Sequence, residues 1–183
     1  MKSGLVYMCF STDFLIEEAD EWRSECFKMI KERKDCQFLF LTKRIDRFLS
    51  CIPEDWNDGY DNVIVCTTIE NQKNADYKLG IFNNLPIKHK LITAQPLLEN
   101  IDIEKYLNDI EEVVVGGESD INARVLDYDW VLNIRCQCIN KNVSFTFRQC
   151  GTNFIKEGRL YKLQTRDLCK QAKLANIDYK KDE

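Results

Sequence analysis

Six short apolar segments recur along the chain and predict strands that alternate with helices. Their starts lie about 22–32 residues apart, which is the length of one βα unit. Most are nearly continuous apolar runs, a pattern typical of strands that are covered on both faces in a parallel sheet. The predicted strands are Leu5–Phe10, Gln37–Leu41, Val63–Cys66, Lys90–Thr93, Glu112–Val115 and Ser144–Phe147.

The segments between the strands carry apolar residues at helical spacing. In the first of them, Trp22, Cys26 and Met29 share one helix face, and Asp20 is the expected N-cap. The other predicted helices follow Asn71, Asp127 and Thr165. The pattern therefore predicts an α/β protein with repeated βα units and a mostly parallel sheet.

The length of the chain limits how much of a βα barrel it can form. A complete eight-stranded barrel usually needs about 250 residues, and this chain has 183. Either a doubly wound sheet or part of a TIM-type barrel fits, and we expect a partial barrel over residues 1–150. Residues 151–183 are expected to form a hairpin, turning at Glu157-Gly158, and a helix packed on the same domain. An unpaired first strand, Leu5–Phe10, would favour a homodimer through that edge.

Polar residues follow every predicted strand. Because the carboxyl ends of parallel strands meet on one rim, these residues predict a binding site there. Each is ambiguous alone, since polar loops, helix caps and surface pairs are common. The expected rim residues are Asp13, Lys43, Arg44, Thr67, Glu70, Asn71, Gln95, Gly116, Gly117, Glu118, Ser119, Arg124, Arg148 and Gln149.

The rim residues suggest several kinds of chemistry, and no catalytic residue is assigned. Gly116-Gly117 either allows a ligand to approach the backbone closely or forms a tight turn. Glu70 and Glu118 either transfer protons or complement helix N-termini. Lys43 and Arg44 either bind an anion or form a surface pair.

Cysteine and histidine content argues against a metal site held by this chain alone. There are nine cysteines and one histidine, but no C-x2-C pair, which zinc sites and many iron–sulfur sites contain. Cys136 and Cys138 lie in a predicted helix, where residues two apart point in different directions. His89 precedes the fourth strand, on the rim opposite the candidate site, and is expected to be structural.

Charge is unevenly distributed along the chain. The formal net charge is −4, which gives no support for general nucleic-acid binding. Residues 148–173, however, contain seven basic and two acidic side chains. This segment either contacts phosphates or is a solvated surface. No apolar run approaches a membrane span, and no signal peptide is recognisable, so a cytoplasmic location is expected.

The rim segments together resemble a bacterial and phage protein family of unknown function that is similar to radical S-adenosylmethionine (SAM) enzymes. The resemblance extends from about Leu5 to Tyr161. It rests on the order of these segments: Cys9-Phe10-Ser11-Thr12-Asp13-Phe14, Leu41-Thr42-Lys43-Arg44, Glu70-Asn71-Gln72, Gln95-Pro96-Leu97-Leu98, Val115-Gly116-Gly117-Glu118-Ser119, Ala123-Arg124 and Phe147-Arg148-Gln149-Cys150-Gly151.

This resemblance implies a partial or complete βα barrel with its site at the carboxyl ends of the strands. For full-length relatives it also implies a 4Fe–4S cluster that binds SAM and is held by three cysteines upstream of the segment resembling Leu5–Phe10. Without those cysteines, a truncated or remnant form that keeps the substrate-side rim is expected, inactive alone and with no cofactor of its own. Gln95 stands where relatives tend to have Glu, and Arg148 where Lys is usual. The alternative is a non-enzymatic module that binds an anion or nucleic acid through the basic C-terminal segment.

Overall fold

The computed structural model describes residues 4–9 and 11–181, and its main feature is a curled parallel sheet. Six parallel strands form this half-barrel in the order β1-β2-β3-β4-β5-β7, and β6, β8 and β9 form a second, small sheet. The strands are β1 (Leu5–Met8), β2 (Gln37–Thr42), β3 (Val63–Thr68), β4 (His89–Ala94), β5 (Ile110–Gly116), β6 (Val125–Asp127), β7 (Ser144–Gln149), β8 (Asn153–Lys156) and β9 (Arg159–Lys162). The predicted partial barrel is confirmed.

Within the described ranges, four α-helices lie between these strands and a fifth follows β9. They are α1 (Asp20–Glu32), α2 (Phe48–Cys51), α3 (Gln72–Phe82), α4 (Tyr128–Asn140) and α5 (Leu168–Ala175). Asn71 caps α3 by accepting a hydrogen bond from the Asn74 amide at 2.8 Å. Asp20 is not an N-cap: it is the first residue of α1, and its carboxylate instead accepts hydrogen bonds from Arg23 and Arg47.

The two faces of the main sheet have different surroundings. On the convex face, Phe40, Val65 and Ile92 are fully buried in one apolar cluster with helix residues such as Leu79 and Ile134. On the concave face, the alternate residues line an open trough. The expectation that both strand faces are covered is therefore correct for the convex face and wrong for the concave face. Apolar residues occupy the concave face too, and they produced the continuous apolar runs although no described helix covers them.

The C-terminal part contains the predicted hairpin and a strand that the sequence did not reveal. β8 and β9 pair antiparallel around Glu157-Gly158, and both turn residues have positive φ, 52° and 72°, as a type I′ turn requires. The three-residue strand β6 pairs parallel with β8, which joins the hairpin to the chain before residue 150. No helix in the described ranges is long and apolar enough to cross a membrane.

The two edge strands of the main sheet, β1 and β7, differ in what pairs with their outer sides. Beyond β7, the C-terminal tail adds an antiparallel bridge in which Phe145 and Tyr179 exchange backbone hydrogen bonds of 2.8 and 2.9 Å. The Asp178 carboxylate also accepts a hydrogen bond from the Phe147 amide at 2.8 Å. Among the described residues, strand β1 pairs with β2 and with no other strand, and its residues from Leu5 to Tyr7 are 38–62% exposed. The last residue of the predicted first strand, Phe10, lies outside the described residues.

Candidate functional site

The carboxyl ends of β4, β5 and β7 bring three of the predicted rim residues together. A Cβ atom on Gly116 would lie 3.1 Å from side-chain carbons of both Gln95 and Gln149. The Gln149 amide nitrogen also donates a hydrogen bond to the Gly117 carbonyl at 2.6 Å. A Cβ on Gly117 would lie 2.7 Å from the Cys150 carbonyl oxygen. Gly117 therefore permits close packing of two strand ends; the sequence had left open a ligand approach or a tight turn at Gly116-Gly117.

Asp13 ties together the loops that follow β1 and β2. Its buried carboxylate accepts hydrogen bonds from the Thr42 hydroxyl and the Lys43 amide, both at 2.8 Å, and from the Leu15 amide at 3.0 Å. The Arg44 guanidinium lies 3.4 Å from the same carboxylate. Asp13 thus orders this part of the rim, and the side chains of Lys43 and Arg44 remain exposed.

Glu70 is committed to an ion pair at the end of β3. It accepts a hydrogen bond from Asn74 at 2.8 Å and lies 3.3 Å from the ammonium group of Lys78. The buried Lys78 also donates to the Thr68 carbonyl at 2.8 Å, so the pair is fixed from both sides. A carboxylate held in this way anchors the loop to α3, and it needs no ligand to satisfy its charge.

Glu118 is held in a separate pair at the end of β5. Its carboxylate accepts hydrogen bonds from the Arg124 amide, at 2.6 Å, and from the Arg124 guanidinium. The hydrogen bonds from Arg124 lower the pKa of the Glu118 carboxyl below its usual range. Glu70 and Glu118 therefore have different cationic partners, and this arrangement favours loop anchoring over a shared proton-transfer role.

Among the remaining rim residues, Arg148 is the most informative. In the part of the chain that the structure describes, its exposed guanidinium makes no hydrogen bond or ion pair with protein. Thr67 is fully buried and, by strand alternation with Cys66, belongs to the convex face. Ser119 is exposed, and Asn71 is occupied as the α3 cap.

The concave face of the half-barrel forms a trough of about 710 Å³. Its floor is apolar, and Thr93, Gln95 and Arg148 lie toward the carboxyl ends of the strands. Glu111, Glu112 and the tail residues Lys180 and Lys181 also line it. The residues that line the trough are Leu5, Tyr7, Cys9, Thr12, Leu39, Leu41, Ile64, Cys66, Leu91, Thr93, Gln95, Glu111, Glu112, Val114, Ser144, Thr146, Arg148, Lys180 and Lys181.

Several polar residues of the trough lie within strands, and the pattern of polar residues after each strand did not reveal them. Glu112 lies within β5 and accepts a hydrogen bond from the Thr146 hydroxyl at 2.6 Å. Burial, and secondarily the charge of Glu112, raises the pKa of the Cys66 thiol to about 12. The alternation of side chains along each strand could have revealed these polar residues, because residues at alternate positions of adjacent strands share one face of the sheet.

The described cysteines are scattered over the fold rather than grouped. Burial raises the pKa of the Cys138 and Cys150 thiols to about 12, as it does at Cys66. Across residues 4–9 and 11–181, no three His, Cys, Asp or Glu side chains are grouped closely enough to hold a metal ion. His89 bonds Glu111 at 2.7 Å and the Asp61 carbonyl at 3.0 Å, at the amino end of β4.

The curled sheet and its open concave face define a partial-barrel βα protein. The family model described as "Protein of unknown function (DUF5131)" matches residues 1–178, and the chain belongs to this family. No curated protein and no solved structure matches the chain. The family description names no activity, so the radical SAM relationship implied by the rim segments stays a prediction.

Proposed function

We propose that the concave face binds a small organic anion, as the substrate side of a radical SAM-like half-barrel. The observation that carries this proposal is the 710 Å³ trough, whose apolar floor meets an arginine without a protein partner at its carboxyl-end mouth. Ligand pockets commonly combine a large apolar surface with a few placed polar groups.

We expect different residues of the trough to contact different parts of the ligand. Leu41, Leu91 and Val114 are half-buried and offer the ligand body an apolar surface. The Arg148 guanidinium would bind a carboxylate or phosphate, for which its planar donors are well suited. Gln95 and Thr93 lie toward the same end and would complete the polar contacts.

The experiment uses 1-anilinonaphthalene-8-sulfonate, a fluorescent probe with an apolar body and one anionic group. We expect saturable one-to-one binding by the folded chain. Arg148→Ala should weaken binding about tenfold, because a hydrogen bond to a charged group is lost. Val114→Trp should abolish binding by filling the trough. The control variant Lys73→Ala removes an exposed charge on α3 and should bind as the wild type does.

Two results would contradict this assignment. Equal binding by the wild type and Val114→Trp would place the probe elsewhere on the protein. Equal binding by the wild type and Arg148→Ala would show that Arg148 does not bind the anionic group of the ligand. Unfolding curves for each variant distinguish a lost site from a lost fold, and the exposed position of Arg148 makes its variant the safer of the two.

The radical SAM part of the proposal is tested separately. The support for it is the order of the rim segments on six parallel strands. No three metal-ligating side chains are grouped among the described residues, and on this ground we expect anaerobic reconstitution of this chain with iron and sulfide to leave no visible 4Fe–4S absorption. A stoichiometric cluster accompanied by SAM cleavage would overturn this expectation.

A further inference from the structure

A second cavity lies between the hairpin and α5, apart from the concave trough. It has a volume of about 220 Å³. Phe154 and Tyr161 on the hairpin face Tyr128, while Gln171 and Leu174 of α5 form the other wall. Tyr161 is 37% exposed, so its ring is accessible at the mouth of this cavity.

Strand register places two cations on the same hairpin face as the aromatic rings. Phe154 pairs with Tyr161, and Lys156 pairs with Arg159. Residues directly opposite in an antiparallel pair, and residues two apart on one strand, share a face. All four side chains therefore belong to the cavity face, whereas Lys162 lies on the opposite face of the hairpin.

Both cations are held over aromatic rings. The Lys156 ammonium lies 5.2 Å from the centre of the Tyr128 ring, and the Arg159 guanidinium lies 5.2 Å from the centre of the Tyr161 ring. Neither cation has an acidic partner among the described ion pairs. Their charge is therefore available to an external anion beside a planar aromatic surface.

We propose that this cavity binds one base of a single-stranded nucleic acid, while Lys156 and Arg159 contact the neighbouring phosphates. Aromatic rings that stack bases, combined with cations along the backbone, are the usual elements of single-strand recognition. Lys156 and Arg159 belong to a sequence segment, residues 148–173, that contains seven basic and two acidic side chains. This site is independent of the function proposed for the concave trough.

The test measures fluorescence anisotropy of a fluorescein-labelled oligothymidylate of about 12 nucleotides, within the usual size of such sites. Tyr161→Ala should weaken binding about tenfold through lost stacking, while Tyr161→Phe should restore it. Lys156→Ala/Arg159→Ala should reduce the slope of log affinity against log salt by about 1.4, the value for two phosphate contacts on a single strand.

The matched control is Lys162→Ala/Lys73→Ala, which also removes two exposed cations but leaves the cavity face intact. We expect its affinity and salt slope to stay near those of the wild type. An equal loss in both double variants would show that net charge alone attracts the strand and would overturn the proposal.

Two competitors complete the experiment. Oligouridylate of the same length separates RNA from DNA: binding of either polymer with the variant effects above supports the proposal, and the tighter one identifies the nucleic acid. Polyglutamate tests an acidic protein partner instead. If polyglutamate displaces the strand equally well and Tyr161→Ala has no effect, the cavity recognises acidic polymers, and the proposal fails.

Discussion

The two edges of the six-stranded sheet differ in how their backbone groups are satisfied. At β7, a five-residue tail segment, 177–181, supplies a bridge partner, a carboxylate acceptor for the Phe147 amide and a backbone amide that donates to Ser144. At β1, the outer side of the strand has no neighbouring strand among the described residues. The comparison shows that the β7 edge is closed by a short segment that lies about 30 residues further along the chain. It predicts that the two edges differ in thiol reactivity, in stability and in self-association.

The largest expected difference is in thiol reactivity at the two edges. Cys9 ends the β1 edge and is exposed, whereas Cys150 follows β7 and is buried, with a pKa raised by burial to about 12. A rise of about three pKa units reduces the thiolate fraction about a thousandfold. We expect iodoacetamide at pH 8 to modify Cys150 about a thousandfold more slowly than exposed thiols, as measured by peptide mass spectrometry. Cys9 represents the β1 edge and the exposed Cys136 is the internal reference; modification of Cys150 as fast as either would contradict the burial of its thiol.

The next effect is on stability and concerns the tail itself. Truncation after Asn176 removes the Tyr179 bridge, the Asp178 acceptor and the apolar contacts of Ile177 with the core. We expect the free energy of unfolding in urea to fall by about 3 kcal/mol, because several hydrogen bonds and buried apolar groups are lost together. Asp178→Ala, which removes one acceptor, should lower it by about 1 kcal/mol. An unchanged urea midpoint in the truncated protein would show that the tail does not stabilise β7.

A smaller effect is expected on self-association through β1. An exposed strand edge is a template for pairing, and we propose that two copies associate through it. Val6→Lys should weaken this association about tenfold, since a charge on the edge opposes pairing. Val6→Thr keeps the β-branched shape and should associate like the wild type. Sedimentation velocity over a range of concentrations measures the effect, and a wild-type protein that stays monomeric throughout would refute it.

The smallest effect concerns the Glu118 loop beside β7. The Arg124 hydrogen bonds depress the folded-state pKa of Glu118 below its ordinary value of 4.5. The stabilisation is therefore fully present above about pH 4.5 and is lost as the pH falls through the lower folded-state value. Because Arg124 is 61% exposed and solvent screens the pair, we expect only about 0.5 kcal/mol. Urea unfolding of the wild type and Glu118→Gln should differ by this amount at pH 7, and the difference should shrink as the pH falls below 4.5; a difference that does not change with pH would exclude the ion pair as its cause.

The sequence predicted the positions of the six main strands well because each is a compact apolar run between amphipathic helices. It also located the hairpin, since Glu157-Gly158 provides the positive φ values that the turn requires. It did not reveal β6, because three residues carry too little periodicity for a reliable prediction. The apolar runs likewise concealed the open concave face, because an apolar residue gives no sign of whether a helix covers it.

The rim was predicted as a set of residues, but the roles within it depended on contacts that sequence spacing cannot show. Asp13 and Glu118 both lie on the expected rim, yet each is committed to an arginine and a backbone amide. Glu112 lies inside a strand and is therefore not among the predicted rim residues, although it lines the trough. Predicting which carboxylates remain available to a ligand requires the partners of each one, and those partners come from distant loops.

The sequential strand order, from β1 to β5 and then β7, has a consequence for synthesis on the ribosome. Each new strand can pair with the one that emerged just before it, so the sheet can grow in the direction of translation. The tail that closes the β7 edge leaves the ribosome after every strand of the sheet. The growing sheet therefore presents a temporary open edge at each stage, and the interval before residues 177–181 emerge is when a chaperone would have most to protect.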